Sequence, residues 1–336
     1  MPRLFVSDFI PGDILEPLHA VARVEVWEEG GHVPRAALLE KLAPCGAWLS
    51  MLSDTIDGPL LDAAPELRVI SQMSVGVDNI DVAACRQRGV VVGHTPEVLT
   101  ETTADTAFAL MAAAIRRLPE GEAIVKSGLW GPWDPWHFLS GDLHGLTIGI
   151  VGMGRIGQAI ARRAHGFDMT VLYSTRTPRQ APGAKMVDLE ELLGTSDVVM
   201  IAAPLNDETR GMIGRPQLGL MKETAYLVNI ARGPLVDTEA LLEALADKRI
   251  GGAALDVTDP EPLPPDHPLL SFPNCLVVPH VGSATVPARR AMAQLAVDNL
   301  MAFLTGKPMP AWLPGSAKQL VDDYSAPNSS PDSSVD

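Results

Sequence analysis

Three glycines in the spacing G-x-G-x-x-G, Gly152, Gly154 and Gly157, are the residues of this chain whose type and spacing first suggest chemistry. In such a loop the first glycine permits a tight strand-to-helix turn. The second lets a bulky anion approach the backbone, and the third lets helix and strand pack closely. The helix that follows turns free N–H groups and a positive dipole end toward phosphates. A bare glycine loop is a weak signal, and its setting supplies the rest. Thr147–Val151 is a short apolar, β-rich run, "QAIARRAHGF" carries apolar residues at helical spacing, and "MTVLYS" reads as the next strand. A strand, a glycine turn and a helix in that order hold a dinucleotide.

The second strand departs from the usual pattern. About 20 residues past the glycines an Asp or Glu normally accepts hydrogen bonds from the adenosine ribose. Here Ser174, Thr175, Arg176 and Thr177 stand at that place, with Arg179 beyond them. A carboxylate would repel a ribose 2′-phosphate, whereas hydroxyls and a planar guanidinium fork suit one. This predicts NADPH as the preferred cofactor, over NADH. The other reading is that Arg176 and Arg179 are solvated loop charges.

The elements that position these residues alternate along the whole chain. "RLFVSD", "ARVEVW", "AWLSML", "RVISQM" and "GVVVGH" read as strands of a first α/β unit, with "RAALLEKLA" and "NIDVAACRQRG" as helices between them. A long helical segment starting near residue 98 is expected to bend at Pro119. The glycine loop opens a second unit with later strands "DVVMIAA", "AYLVNIA", "GGAALDV" and "CLVVPH". Such alternation predicts mostly parallel sheets covered by helices on both faces. The helix "PARRAMAQLAVDNLMAFLTG" is expected to return to the first unit, and the polar stretch from Gly315 is expected to stay disordered.

Composition narrows the class. A chain of 336 residues has room for two domains, and a formal charge of −15 argues against a nucleic-acid surface. Three widely spaced cysteines, Cys45, Cys85 and Cys275, suggest neither a disulfide framework nor a metal site. The N-terminus reads as a strand and turn, with no signal sequence, and no apolar run reaches a membrane span of about 18 residues. A reducing cytoplasm is the expected compartment.

Several motifs in a fixed order resemble the D-isomer-specific 2-hydroxyacid dehydrogenase family. They are "MSVGVDNID" at 73–81, "TPEVLTETTADTAFALM" at 95–111, "GMGRIG" at 152–157, "NIARGPLVD" at 229–237, "LDVTDPEPLP" at 255–264 and "PHVGSAT" at 279–285. The resemblance covers roughly residues 1–313, and within the family it leans toward the glyoxylate/hydroxypyruvate reductases. It implies two Rossmann-like doubly wound α/β domains with the active site in the cleft between them. The expected substrate domain is 1–97 plus 287–314, flavodoxin-like. The expected NAD(P)-binding domain is 98–286, and 315–336 is the expected tail. The substrate is then a small 2-oxo or 2-hydroxy acid, and the assembly a homodimer joined through the nucleotide-binding domains.

Reducing a 2-oxo acid needs a hydride donor over the carbonyl carbon, a proton for its oxygen and a grip on the carboxylate. His280 suits the proton, since imidazole titrates near neutrality. A carboxylate such as Glu261, hydrogen-bonded to it, would favour the charged imidazole. Arg232 can pair with the substrate carboxylate and polarise the keto oxygen. By resemblance these three are the catalytic set, and Ser74, Val75 and Gly76 hold the substrate carboxylate, together with Arg232 and His280. The cofactor contacts implied are Thr103, Gly152, Gly154, Arg155, Ile156, Gly157, Ser174, Thr175, Arg176, Thr177, Pro204, Thr209, Ile230, Asp256, His280 and Ser283. No metal ligand set is implied. Singly, each has a plainer explanation: His280 as a strand-end cap, Glu261 as a turn residue, Arg232 as a loop charge and Gly76 as a turn glycine. Val77 stands where many relatives carry an aromatic residue. In "LWGPWDPWHF" either Trp136 or His137 takes the position that reaches a partner's site, or Trp130, Trp133 and Trp136 are interface anchors only. Rivals within the family are D-lactate, phosphoglycerate or phosphite dehydrogenases; outside enzymes, the rival is a nicotinamide-binding corepressor.

Overall fold

The computed structural model describes residues 1–318. The chain divides into two compact units, one formed by Met1–Val98 with the described chain from Arg289 onward, the other by Leu99–Ala288. In the first unit β1 (Arg3–Val6), β2 (Arg23–Val26), β3 (Cys45–Ser50), β4 (Val69–Gln72) and β5 (Val91–Gly93) form a parallel sheet in the order β2-β1-β3-β4-β5. This is the flavodoxin-like order. In the second, β6 (Thr147–Val151), β7 (Thr170–Ser174), β8 (Ala184–Met186), β9 (Val198–Ile201), β10 (Tyr226–Asn229), β11 (Gly252–Leu255) and β12 (Cys275–Val277) form a parallel sheet ordered β12-β11-β10-β9-β6-β7-β8. The expected α/β architecture of two units with parallel sheets is therefore found.

Strand residues alternate between faces, and here both faces are apolar. In the first sheet Leu4, Val6, Ala47, Leu49, Val69 and Val91 join one buried cluster, while Phe5, Trp48, Ile70 and Val92 join another on the opposite side. In the second sheet Val151, Val199, Leu227 and Leu255 line one face and Ile150, Val198, Met200 and Val228 the other. A strand buried on both faces reads as a continuous apolar run. That is why these strands are visible in the sequence and why helices must cover both sides. The helix Val286–Leu304 covers the first sheet with Ala293, Ala296, Val297 and Leu300.

Two expectations need correction. The long helix runs Thr100–Ile115 and ends before Pro119. The break is at Arg117, in the left-handed region at φ 52°, and Pro119 lies in the first turn of the next helix, Leu118–Lys126. Proline at that position is tolerated because the first-turn N–H has no helical acceptor. The stretch from Gly315 is not free at its start. Ser316 and Ala317 are 3% and 8% exposed, because the chain here runs along the open edge of β5. Leu313 N–H donates to Val92 O at 2.8 Å, Val92 N–H to Ser316 Oγ at 3.2 Å and Ala317 N–H to Val90 O at 3.2 Å. An edge strand has unpaired backbone groups, and this segment satisfies them. The remainder of the expected tail, residues 319–336, lies outside the described residues.

Cys45 and Cys85 are buried and Cys275 is half-buried. Burial pushes their thiols up to about 11, 12 and 12 respectively. Among the described residues no helix is long and apolar enough to cross a membrane.

Candidate active site

The residues singled out in the second unit gather at the carboxyl ends of its parallel strands. Gly152 follows β6, Ser174 ends β7, Pro204 follows β9, Ile230 follows β10 and Asp256 follows β11, with His280 three residues past β12. The direction of winding reverses between β6 and β9, and ligands of open parallel sheets bind at such a switch point.

The glycine turn has the shape a dinucleotide needs. Gly152 has φ 99°, and a Cβ there would meet Ala202 O at 2.7 Å; a Cβ on Gly157 would meet Gly152 O at 2.2 Å. These two glycines let the helix Arg155–His165 start tightly against the sheet. At Gly154, which caps that helix with no side-chain hydrogen bond, a Cβ would meet nothing within 4 Å. The crowding at 152 and 157 and the open space at 154 fit a pyrophosphate resting on the helix N-terminus. At the next strand Ser174 is half-buried and its carbonyl accepts from Gly152 N–H at 2.8 Å. Thr175 is half-buried and Thr177 exposed. The guanidinium of Arg176, its side chain 72% exposed, forms an ion pair with Glu208. Glu208 belongs to the loop after β9, which is knitted by Thr209 Oγ1 donating to Pro204 O at 2.8 Å. Nothing in the sequence marks Glu208, because an acid on a polar loop has no pattern of its own.

At the far end of the sheet three loops meet. Asn229, at the end of β10 and almost wholly buried, donates through Nδ2 to Arg232 O at 2.8 Å and accepts from Ala231 N–H at 3.0 Å. It thus shapes the turn that carries Arg232. A Cβ on Gly233 would lie 1.9 Å from Thr258 O, so only glycine allows this turn to pack on the backbone leading to Glu261. Asp256, 1% exposed, accepts Val281 N–H at 2.7 Å and Gly282 N–H at 2.9 Å. Burial raises its carboxyl, and those two N–H bonds and the nearby His280 act against the rise. In this structure Asp256 clasps the loop that holds His280, which has a left-handed backbone at φ 50°. A non-glycine residue at such φ is strained, and strain of this kind clusters at active sites.

His280 Nδ1 lies 2.6 Å from Glu261 Oε1. Burial pushes the Glu261 carboxyl up, but the bond to His280, its charge, Thr258 N–H and Arg232 outweigh burial and leave it below the usual value. Arg232 is half-buried beside this pair, with Nη1 donating to Ala231 O at 2.7 Å. The structure so brings Arg232, Glu261 and His280 into one electrostatic cluster. Thr103 and Ile230 are buried, and Ile156 and Ser283 are half-buried. Gly154 and Arg155 are exposed at the helix start. Ser74, Val75 and Gly76 belong to the first unit, in the loop after β4.

A dinucleotide turn at the switch point, with a paired imidazole farther along the same sheet edge, defines a nicotinamide-dependent oxidoreductase. Residues 108–282 match the family model described as "D-isomer specific 2-hydroxyacid dehydrogenase, NAD binding domain", and the chain belongs to this family. It is similar to the glyoxylate reductase of Pyrococcus furiosus, with 48% identity over 92% of this chain and 94% of the relative. A solved structure of a Thermus thermophilus protein superposes with a TM-score of 0.88 at 47% identity, covering 93% of this chain and 99% of that one. An NADPH-dependent glyoxylate/hydroxypyruvate reductase from Sinorhizobium meliloti, solved with NADP and malonate, gives a TM-score of 0.83 at 34% identity over 95% and 98% of the two chains.

Proposed function

We propose that this enzyme reduces glyoxylate to glycolate and hydroxypyruvate to D-glycerate, with NADPH preferred over NADH. The observation that carries the proposal is the 2.6 Å pairing of His280 Nδ1 with Glu261 beside Arg232. Relatives named as glyoxylate reductases, one of them NADPH-dependent, support the substrate and the cofactor. With Nδ1 committed to the carboxylate, Nε2 of His280 is the nitrogen left to deliver a proton to the substrate oxygen. Glu261 keeps the ring oriented and balances its positive charge. Arg232 pairs with the substrate carboxylate and stabilises charge developing on the keto oxygen. The loop Ser74–Gly76 supplies backbone N–H groups to that carboxylate. A hydride is what the reduced nicotinamide supplies when bound. Gly152–Gly157 and the helix behind them receive the pyrophosphate, and Ser174, Thr175 and Arg176 receive the adenosine end with its 2′-phosphate. Thr103, Pro204, Thr209, Ile230 and Ser283 complete the lining, with Asp256 supporting it from beneath.

The active form in this proposal is a homodimer joined through the second unit. Leu129, Trp130, Trp133 and Trp136 are 75%, 77%, 86% and 80% exposed, and so many large apolar residues in one short segment mark a contact surface. Arg117 anchors the segment's end, standing 4.3 Å over the ring of Phe138 and donating to Leu139 O at 2.8 Å. Light scattering reads the assembly directly, and a mass near the monomer's 35.8 kDa at micromolar concentration refutes the dimer.

Initial rates on glyoxylate and hydroxypyruvate, each with NADPH and NADH, test the activity. D-lactate, 3-phosphoglycerate and phosphite with NAD run alongside. Turnover of one of these three well above that of both keto acids would reject the substrate assignment, and a lower KM for NADH would reject the cofactor preference.

A further inference from the structure

We infer that an amide pair, buried Gln72 with half-buried Asn79, is the positioning device that turns the N–H groups of the loop after β4 outward as a cradle for a carboxylate. The inference rests on the proposed role of Ser74–Gly76 as the substrate-carboxylate loop and adds the residues that shape it, together with a third donor, Val77 N–H.

Gln72 ends β4 and has no solvent exposure. Its Oε1 accepts from Asn79 Nδ2 at 2.8 Å, and its Nε2 donates to Asn79 Oδ1 at 2.9 Å, so the two amides meet head to tail. Nε2 also reaches Ser74 Oγ at 2.7 Å and Gly76 O at 2.8 Å. Gly76 O can only accept, so the nitrogen must face that side. Ser74 Oγ donates in turn to Gly76 O at 2.5 Å, and Asn79 Nδ2 ties the pair to the preceding loop through Asp54 O at 2.6 Å.

The consequence for the backbone is geometric. Ser74 O is taken by Thr95 N–H at 2.8 Å, Val75 O by His94 Nδ1 at 3.2 Å, and Gly76 O by Gln72 and Ser74. In a trans peptide the N–H points opposite to the carbonyl of the same unit. Three carbonyls held inward therefore turn the N–H groups of Val75, Gly76 and Val77 the other way. Successive N–H groups so presented bind an anion. Leaving the buried Gln72 amide without partners is costly, so Gln72 enforces this arrangement, with Asn79 as its matching partner.

The test uses the full chain with glyoxylate, NADPH and four variants. Gln72→Met keeps length and burial without hydrogen bonds. Gln72→Glu keeps the size and an acceptor for Asn79 but loses the donor toward Ser74 and Gly76. Asn79→Ala serves if Gln72→Met does not fold, and the double exchange Gln72→Asn with Asn79→Gln rebuilds the pair in reverse. The single variants are expected to raise the glyoxylate KM about tenfold, equivalent to about 1.4 kcal/mol. The kcat and the NADPH Kd should stay within about twofold of wild type. The double exchange should recover most of the loss. Amide exchange at Thr95 and Ile80, whose N–H groups bond to the Ser74 and Val77 carbonyls, should quicken in the single variants. A folded single variant with wild-type KM, or parallel losses in KM, kcat and NADPH affinity, overturns the inference. If the wild-type chain reduces no 2-oxo acid, the substrate reading fails by itself. The exchange rates then decide: faster exchange at Thr95 and Ile80 in Gln72→Glu supports the amide device, and unchanged exchange refutes it.

Discussion

Nδ1 of His280 and Oε1 of Glu261 face each other at 2.6 Å across nineteen residues of chain. One ring nitrogen is thereby occupied, and any proton the imidazole gives must leave from the other. His280→Ala removes the donor and leaves the glycine turn untouched. We expect kcat for glyoxylate reduction to fall by about 10²–10⁴ while NADPH binding is retained. Stopped-flow turnover combined with a cofactor titration checks this, and a kcat close to wild type would remove His280 from the proposed mechanism.

The same pair sets an acid limit on stability. The Glu261 carboxyl lies below its ordinary value of 4.5 in the folded chain despite burial, because of its bonds to His280 and Thr258 and the charge of Arg232. A depressed carboxyl contributes stability that is fully present above the unfolded value and is lost as pH falls through the folded one. Glu261→Gln should therefore lower Tm at about pH 5, with the gap to wild type closing as pH falls below 4.5. Thermal melts from about pH 3 to about pH 7 measure it. A gap that widens as pH falls below 4.5 contradicts the sign.

Arg176 and Glu208 test cofactor choice from both sides. If the guanidinium holds a 2′-phosphate, Arg176→Ala should raise the NADPH KM by about ten- to a hundredfold and leave the NADH KM nearly unchanged. Glu208→Gln should lower the NADPH KM, because the phosphate no longer displaces a carboxylate from Arg176. Equal changes for the two cofactors would show that Arg176 does not read the phosphate.

Gly233 sets the distance between the Arg232 turn and the Glu261 segment. A methyl group there would stand 1.9 Å from Thr258 O, so the backbone must shift. Shifts of about 1 Å near reacting groups can cost about 10² in rate. Gly233→Ala should thus reduce kcat/KM for glyoxylate by about that factor in a chain that still binds NADPH. An alanine variant of full activity would mean the turn carries no catalytic constraint.

Two truncations isolate the docked edge from the residues beyond it. Ending the chain after Lys318 should leave Tm unchanged. Ending it after Pro314 removes Ser316 and Ala317 from the edge of β5, with a buried hydroxyl and two backbone hydrogen bonds. That loss should cost roughly 1–3 kcal/mol, or several degrees in Tm. Equal melting of both truncations would mean that the edge contact contributes nothing.

Strands buried on both faces are legible because their apolar runs are continuous, and the ordered motifs point to Arg232, Glu261 and His280. The features that sequence alone does not reveal have physical reasons. β8 is only Ala-Lys-Met, an edge strand too short and too exposed to leave a pattern. The helix breaks at Arg117, not Pro119, because proline is compatible with a first helical turn. Ser316 looks like part of a polar tail, yet its hydroxyl satisfies a strand edge. Asn229, Gln72 and Asn79 act through amide hydrogen bonds, which have no charge or periodicity to betray them. Glu208 gains meaning only when the fold places its loop beside Arg176.

The three raised thiols, two buried and one half-buried, have a practical consequence. With values of about 11 to 12, they hold only about one thiolate in a thousand or fewer at pH 8. A cysteine introduced on the surface, at an ordinary value near 8.5, would be about a quarter thiolate under the same conditions. Maleimide or spin-label chemistry would then find the introduced site first, with the native residues left in place. A single fluorophore at position 208 would report nucleotide arrival in otherwise unmodified enzyme.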